Sequence, residues 1–201
     1  MALDRRARED VVSVADYLTP EVLARVRKML VELQLDGWLL FDFHGMNPVA
    51  TRVLGLGGLA TRRLFVLLPA AGKPIALAHR IEQHRIAGFP GEVRPYAAWR
   101  ELEQELARLV SGKKLAVEYS AKDAVPYLDR VPAGVVELLR ASGAEVASSA
   151  ELVTALASRW SPEELDHHRR AAGLLKEIAL AGFERVRQWY AEGATPTEQG
   201  L

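Results

Sequence analysis

The sequence predicts an α/β protein with a mixed β-sheet of about six strands flanked by helices, followed by one long C-terminal helix. Three observations lead to this prediction. Short apolar runs alternate with stretches in which apolar residues recur at helical spacing. Two of the runs are joined by a short connection rich in Pro and Gly, which indicates a hairpin. Finally, a helix-start signal at Ser161 precedes about thirty residues that end at a stop signal, Gly193.

The first helix is predicted to begin after Thr19, because Thr is a good N-cap and Pro20 suits the first helical position. Gly37 is the expected end of this helix. The apolar run 38–41 follows without a helical period, which is typical of a strand covered on both faces. The apolar residues that recur at helical spacing in the first helix are Leu23, Val26, Leu30 and Leu33.

The remaining elements continue the alternation. Residues 64–68 and 75–77 are two apolar runs, and the turn-rich segment 69–74 between them predicts a hairpin. The later elements are predicted from the same patterns. In order, they are a short helical stretch near 81–87, a strand at 92–96, a helix at 99–110, a strand at 115–117, a helix at 135–140 ending at Gly143, and a strand at 145–147.

Two Ser-x-x-Glu capping boxes are predicted, at Ser148 and Ser161. The first opens a short helix over residues 152–159. The second is followed by Pro162 and opens a helix of about thirty residues, roughly 46 Å long at 1.5 Å per residue. A domain of about 160 residues has a radius of gyration of about 15 Å. A helix of this length therefore indicates a second domain.

A third helix-start signal lies at the end of the sequence, where Thr195, Pro196 and Glu198 precede the last residue, Leu201. A cap without its helix indicates that the polypeptide continues, and a disordered tail that happens to contain these residues is the alternative. We predict one domain over residues 1–160 and the truncated start of a second over residues 161–201.

Composition excludes several classes of function. The 26 basic side chains balance 26 acidic ones, so no net charge attracts the chain to nucleic acid or to a membrane surface. The absence of Cys excludes disulfides and thiolate nucleophiles, and fits a reducing compartment. The N-terminus is charged, and no run approaches the roughly 18 apolar residues of a membrane span. We expect a cytoplasmic protein that binds neither nucleic acid nor membrane.

No complete catalytic motif is present. Residues 55–60 match G-x-G-x-x-A, but they precede a predicted strand instead of a helix, so a connector is the better interpretation. On a helix, His79 and His84 would diverge by about 140° and the adjacent His167 and His168 by about 100°. Neither pair suits a metal ion, and H-E-x-x-H and G-x-S-x-G are both missing. We assign no catalytic residue and no metal ligand to this chain.

Residues 36–57 and 115–146 resemble the N-terminal domain of the creatinase, prolidase and aminopeptidase P group of pita-bread metallopeptidases. The shared features, in the same order, are the strand DGWLL, the loop that leads to NP, the EY strand and the VELLR helix. Residues 161–184 resemble the first helix of the group's catalytic domain. Residues 193–198, with the sequence GATPTE, resemble the start of its second helix.

The resemblance implies that the full-length parent is a dinuclear metallopeptidase specific for Xaa-Pro bonds, of aminopeptidase P or prolidase type. In that group two divalent ions, Mn, Co or Zn, share a water that attacks the peptide carbonyl. Their ligands, two Asp, one His and two Glu, belong to the second domain and match nothing in residues 1–201, so this chain alone is expected to be inactive. The resemblance also implies a homodimer, a proline-containing peptide substrate, and an N-terminal domain that dimerises and gates access.

The gating loop of the group would correspond to residues 42–47, at the carboxyl end of the first strand. His44 and Asn47 are the candidate gating residues, because an imidazole and an amide can both hydrogen-bond a peptide. The alternatives are that His44 is solvated surface and that Asn47 caps a helix starting at Pro48. Two other parents stay open, a non-catalytic pita-bread protein that binds peptides and a creatinase-like hydrolase of a non-peptide substrate.

Overall fold

The fold is given by a computed structural model, which describes residues 13–157, 160–195 and 197–200. These residues form two compact units, one within Met1–Ser158 and the other within Arg159–Leu201. The α-helices are α1 (Val14–Tyr17), α2 (Pro20–Glu32), α3 (Pro48–Leu54), α4 (Trp99–Val110), α5 (Ala133–Ala141), α6 (Ala150–Ala157) and α7 (Pro162–Ala191). Short 3-10 segments cover Arg80–Ile86, Ala121–Asp123 and Glu198–Gly200.

The first unit contains one sheet of six strands, in the order β4-β3-β2-β1-β5-β6. The pairs β1–β2 and β2–β3 are antiparallel, whereas the pairs β3–β4, β1–β5 and β5–β6 are parallel. The mixed sheet and the hairpin between β2 and β3 confirm the sequence prediction. The strands are β1 (Gly37–Asp42), β2 (Leu64–Pro69), β3 (Ile75–His79), β4 (Glu92–Tyr96), β5 (Lys114–Val117) and β6 (Glu145–Ser148).

Both faces of the sheet are covered, which explains the continuous apolar run of β1. Successive side chains of a strand point to opposite faces. Trp38 and Leu40 accordingly pack with residues of α2, α3 and α6, while Leu39 and Phe41 pack with residues of α4 and α5. The two faces therefore carry two separate hydrophobic clusters, and β1 contributes to both.

The predicted end of the first helix at Gly37 is wrong. Helix α2 ends at Glu32, Gln34 takes a left-handed conformation with φ of 54°, and the Leu35 amide bonds back to the Leu30 carbonyl. Gly37 instead begins β1. A Cβ at Gly37 would lie 2.7 Å from Leu67 Cδ1, so the close approach of β2 explains the glycine.

One predicted capping box is confirmed and the other is wrong. Ser161 accepts from the Glu164 amide at 3.1 Å, and the Glu164 carboxylate accepts from the Ser161 amide at 2.7 Å. Ser148, by contrast, is the last residue of β6 and pairs with Val117, so α6 begins one residue later than the box requires. The predicted last residues of α6, 158 and 159, lie outside the described residues.

The second unit consists mainly of α7, which has 30 residues and confirms the predicted long helix. It ends just before Gly193, whose φ is 73°. Of the third helix-start signal, Pro196 lies outside the described residues, as does the charged N-terminal segment 1–12. No helix in the described ranges is long and apolar enough to cross a membrane.

Candidate functional site

The loop that joins β1 to α3 has a fixed backbone. The buried Asp42 carboxylate accepts hydrogen bonds from the amides of Gly45 and Asn47, both at 3.3 Å. His44 and Gly45 are both left-handed, with φ of 59° and 68°. The His44 side chain is exposed, and its ring meets the Phe43 ring edge to face at 4.4 Å between centroids. The loop therefore presents an imidazole to solvent from a rigid turn.

Asn47 is the N-cap of α3, as one of the two sequence interpretations states. Its side-chain oxygen accepts from the amides of Val49 and Ala50, at 3.0 and 3.2 Å. Its side-chain nitrogen donates to the Phe41 carbonyl and to Glu118, both at 2.8 Å. Asn47 is only 1% exposed. A contact between Asn47 and substrate stays a prediction.

Glu118, directly after β5, is the centre of a buried polar cluster. Its carboxylate accepts from Trp38 Nε1 at 2.6 Å and from Ser149 Oγ at 3.1 Å, in addition to Asn47. The side chain is completely buried, and this burial raises the pKa of Glu118 to about 7 although the three donors oppose the shift. One carboxylate thus links β1, the start of α3 and the start of α6.

A buried ion pair fixes the other side of the loop. Arg85 Nη2 lies 2.9 Å from Asp42 Oδ2, and both side chains are almost fully buried. Glu82, 4.0 Å from Arg85 Nη1, accepts from the amide and hydroxyl of Thr61 at 2.8 and 2.6 Å. Burial alone would raise the pKa of Glu82, but the hydrogen bonds from Thr61 and Arg62 and the charge of Arg85 hold it below its usual value.

Sequence reasoning did not identify Glu118 or Arg85. Glu118 has a signal in hindsight, because a charged residue directly after the buried apolar run of β5 has to find partners inside the protein. The same signal applies to Asp42 at the end of β1. Arg85 has no such signal, since it lies in a 3-10 segment whose sequence looks like solvated surface.

A cleft of about 530 Å³ lies beside the loop, on the sheet face covered by α4 and α5. Phe43 lines the cleft, and its ring contact with His44 places the imidazole next to it. Arg63, which precedes β2, and Trp99, the first residue of α4, also line the cleft. The loop and the cleft are therefore neighbours at the carboxyl end of β1.

The described residues contain no cluster of side chains suited to a metal ion. Among residues 13–157, 160–195 and 197–200, no three His, Asp or Glu side chains come together in a way that would hold one. The acidic side chains of the site, Asp42, Glu82 and Glu118, are instead occupied by protein donors.

No protein-family model matches the chain, and no curated protein matches its sequence. Solved structures do match its fold. The prolidase from Pyrococcus horikoshii OT3 is 15% identical with a TM-score of 0.53, over 82% of this chain and 42% of that one. The Xaa-Pro dipeptidase from Bacillus anthracis is 21% identical with a TM-score of 0.51, over 84% of this chain and 43% of that one.

A third match is to a separate domain. The creatinase/prolidase N-terminal domain of an X-Pro dipeptidase from Streptococcus pyogenes is 14% identical with a TM-score of 0.51, over 68% of this chain and 99% of that one. This chain thus spans about two fifths of the length of the prolidase and dipeptidase chains, but matches nearly all of the isolated domain. It has the fold of the creatinase/prolidase N-terminal domain.

Proposed function

We propose that this chain is the N-terminal dimerisation and substrate-gating part of a metal-dependent Xaa-Pro peptidase, of aminopeptidase P or prolidase type. The observation that carries the proposal is the fold similarity, which extends over 99% of an isolated N-terminal domain but only 43% of a complete Xaa-Pro dipeptidase. On this proposal the unit within Arg159–Leu201 begins the catalytic domain. The two metal ions are then bound by residues that follow it.

The loop over residues 42–47 is the proposed gate. Hydrogen bonds to Asp42 hold its backbone, so His44 is presented without the entropy cost of ordering a flexible loop. A neutral imidazole can donate from one nitrogen and accept at the other, which suits the backbone or terminus of a bound peptide. Asn47 contributes to this role as the N-cap that fixes the start of α3.

The first test is the sequence and activity of the longer protein that this proposal implies. We expect two Asp, one His and two Glu as metal ligands, and hydrolysis of a proline-containing dipeptide with Mn²⁺, Co²⁺ or Zn²⁺ added. The 201-residue chain, assayed in parallel, is expected to be inactive. Turnover by the chain alone contradicts the proposal. Peptide binding without the five ligands identifies a non-catalytic binding protein, and hydrolysis of creatine alone identifies a creatinase-like parent.

The second test addresses the gate in that longer protein. His44→Ala is expected to raise KM about fivefold, the effect of one lost hydrogen bond, with little change in kcat. The melting temperature should not change, because His44 is exposed. Met46→Ala is the matched control, since Met46 is exposed in the same loop and has no hydrogen-bonding side chain. Unchanged kinetics in His44→Ala would leave the loop as scaffold only.

A further inference from the structure

The cleft beside α4 and α5 has the size and lining of a small-molecule site. Its volume of about 530 Å³ falls within the range of roughly 300–1,000 Å³ that is usual for ligand pockets. The walls are mostly apolar, as such pockets require, with only a few polar groups to orient a ligand. Phe43 and Leu138 are the partly exposed apolar side chains of the lining, above a buried floor of Phe41, Phe65 and Val135.

Arg63 is the polar group best placed to recognise a ligand. Its guanidinium carbon lies 4.6 Å from the centroid of the Trp99 ring and 5.7 Å from that of Phe43. These two cation–π contacts orient the planar group, and among the described residues none accepts a hydrogen bond from its N–H donors, which can therefore bind an anion. The Tyr96 hydroxyl donates to the Arg63 carbonyl at 2.6 Å and so fixes the backbone there.

The charge of Arg63 is not neutralised by the part of the chain that the structure describes. No carboxylate in that part forms an ion pair with its guanidinium, whereas the nearby Arg85 is paired with Asp42. An arginine in contact with two rings beside an apolar cleft suits a carboxylate whose body is apolar, because the guanidinium binds the carboxylate in a planar, bidentate geometry.

We propose that this cleft binds a small carboxylic acid with an apolar body. The carboxylate pairs with Arg63, and the body packs against the partly exposed side chains of Phe43 and Leu138. Glu137 of α5 also lines the cleft and is exposed. Its negative charge opposes a bound anion, so its removal should strengthen binding. This inference concerns the 201-residue chain itself and does not depend on the proposed peptidase parent.

The probe is 3-phenylpropionate, titrated into the 201-residue chain by calorimetry. The neutral 3-phenylpropanol has the same apolar body without the charge and serves as the control ligand. We expect saturable binding of the acid, and binding of the alcohol weaker by about tenfold, because a hydrogen-bonded ion pair is lost. Equal binding of acid and alcohol, or no saturation by the acid at about 10 mM, overturns the proposal.

Variants locate the site. Arg63→Met should weaken acid binding by about tenfold and leave alcohol binding unchanged, whereas Glu137→Gln should strengthen acid binding. Arg62→Met is the matched control, because Arg62 is an exposed neighbour that does not line this cleft. Ala141→Phe places a ring in the cleft and should abolish binding of both ligands. Acid binding unchanged in Arg63→Met, with an unchanged melting temperature showing that the variant is folded, overturns the proposal.

Discussion

Asn47 donates its side-chain amide to Glu118 at 2.8 Å, across 71 residues of sequence. The same side chain caps α3 through its oxygen. One asparagine therefore supports a helix end and a buried carboxylate at once. Because Glu118 also accepts from Trp38 and Ser149, strand β1, the end of β5 and the starts of α3 and α6 meet in a single cluster.

Asn47→Ala is expected to lower the free energy of unfolding by about 2 kcal/mol. About half of this loss is the helix cap, and the rest is the missing hydrogen bonds to the buried Glu118 and to the Phe41 carbonyl. Thr19→Ala is the matched control, because Thr19 caps α2 but has no contact with a buried carboxylate in the described structure; it should cost about 1 kcal/mol. Urea unfolding measures both. Equal losses in the two variants would show that the side-chain bonds from Asn47 to Glu118 and Phe41 contribute nothing.

Glu118 predicts a pH dependence of stability. Burial raises its pKa from 4.5 to about 7 in the folded state, so the folded protein holds this proton more tightly than the unfolded chain does. The corresponding stabilisation is fully present below pH 4.5 and is lost as the pH rises through about 7. Relative to Glu118→Gln, which does not titrate, the wild-type free energy of unfolding should therefore fall across this interval.

The quantity to compare is the slope of the free energy of unfolding against pH, in wild type and in Glu118→Gln. The absolute stability of Glu118→Gln is less informative, because the amide nitrogen of a Gln would face one of the donors that the carboxylate now accepts. Trp38, which lies against Glu118, is one of the four tryptophans whose fluorescence reports unfolding. Glu137→Gln, at an exposed position, is the control. Parallel curves for wild type and Glu118→Gln would contradict the assignment.

The ion pair between Arg85 and Asp42 predicts that one substitution lowers the free energy of unfolding strongly, and that replacing both residues lowers it less. Arg85→Met leaves Asp42 buried without its partner and is expected to cost about 3 to 5 kcal/mol. Adding Asp42→Asn removes the isolated charge and should recover part of the loss. Arg94→Met, which breaks the more exposed pair with Glu92, should cost less than about 1 kcal/mol. Equal losses of unfolding free energy in Arg85→Met and Arg94→Met would mean that the buried pair stabilises the fold no more than the exposed one.

Helix α7 predicts self-association of the 201-residue chain. Leu175 and Ile178 are 65% and 67% exposed, and apolar side chains at such exposure favour association. Sedimentation velocity at several concentrations should show reversible association, and Ile178→Glu should reduce it. Lys176→Glu is the control, because it changes charge on the same helix without removing an apolar side chain. A single monomeric species at every concentration would contradict the prediction.

The strands and most helix starts are predictable because their signals are local. The run 38–41 is apolar because both faces of β1 are buried, and the structure extends the strand by only one residue at each end. The bounds of α4 agree at both ends with the prediction of a helix over 99–110. Capping by Asn47 and Ser161 follows from the residue types at two or three neighbouring positions.

The rest depends on contacts that are distant in sequence. Ser148 fits a capping box, but it pairs with Val117 in the ladder between β6 and β5. The hydroxyl of the next residue, Ser149, donates to Glu118. The end of α2 depends on Gln34 taking a left-handed conformation that Gly would adopt more easily. The pairing of Arg85 with Asp42 joins residues 43 apart. Spacing along the chain contains no information about these partners.

The two outer strands of the sheet limit how copies of this protein can meet. At one edge, β4 carries Pro95, which has no N–H to donate, and the charged Glu92 and Arg94. At the other edge, β6 is only four residues long. Short, charged or proline-containing edges resist the addition of a further strand. A dimer of this fold should therefore use side-chain surfaces in place of a continuous intermolecular sheet, and the folded domain is protected from edge-to-edge aggregation.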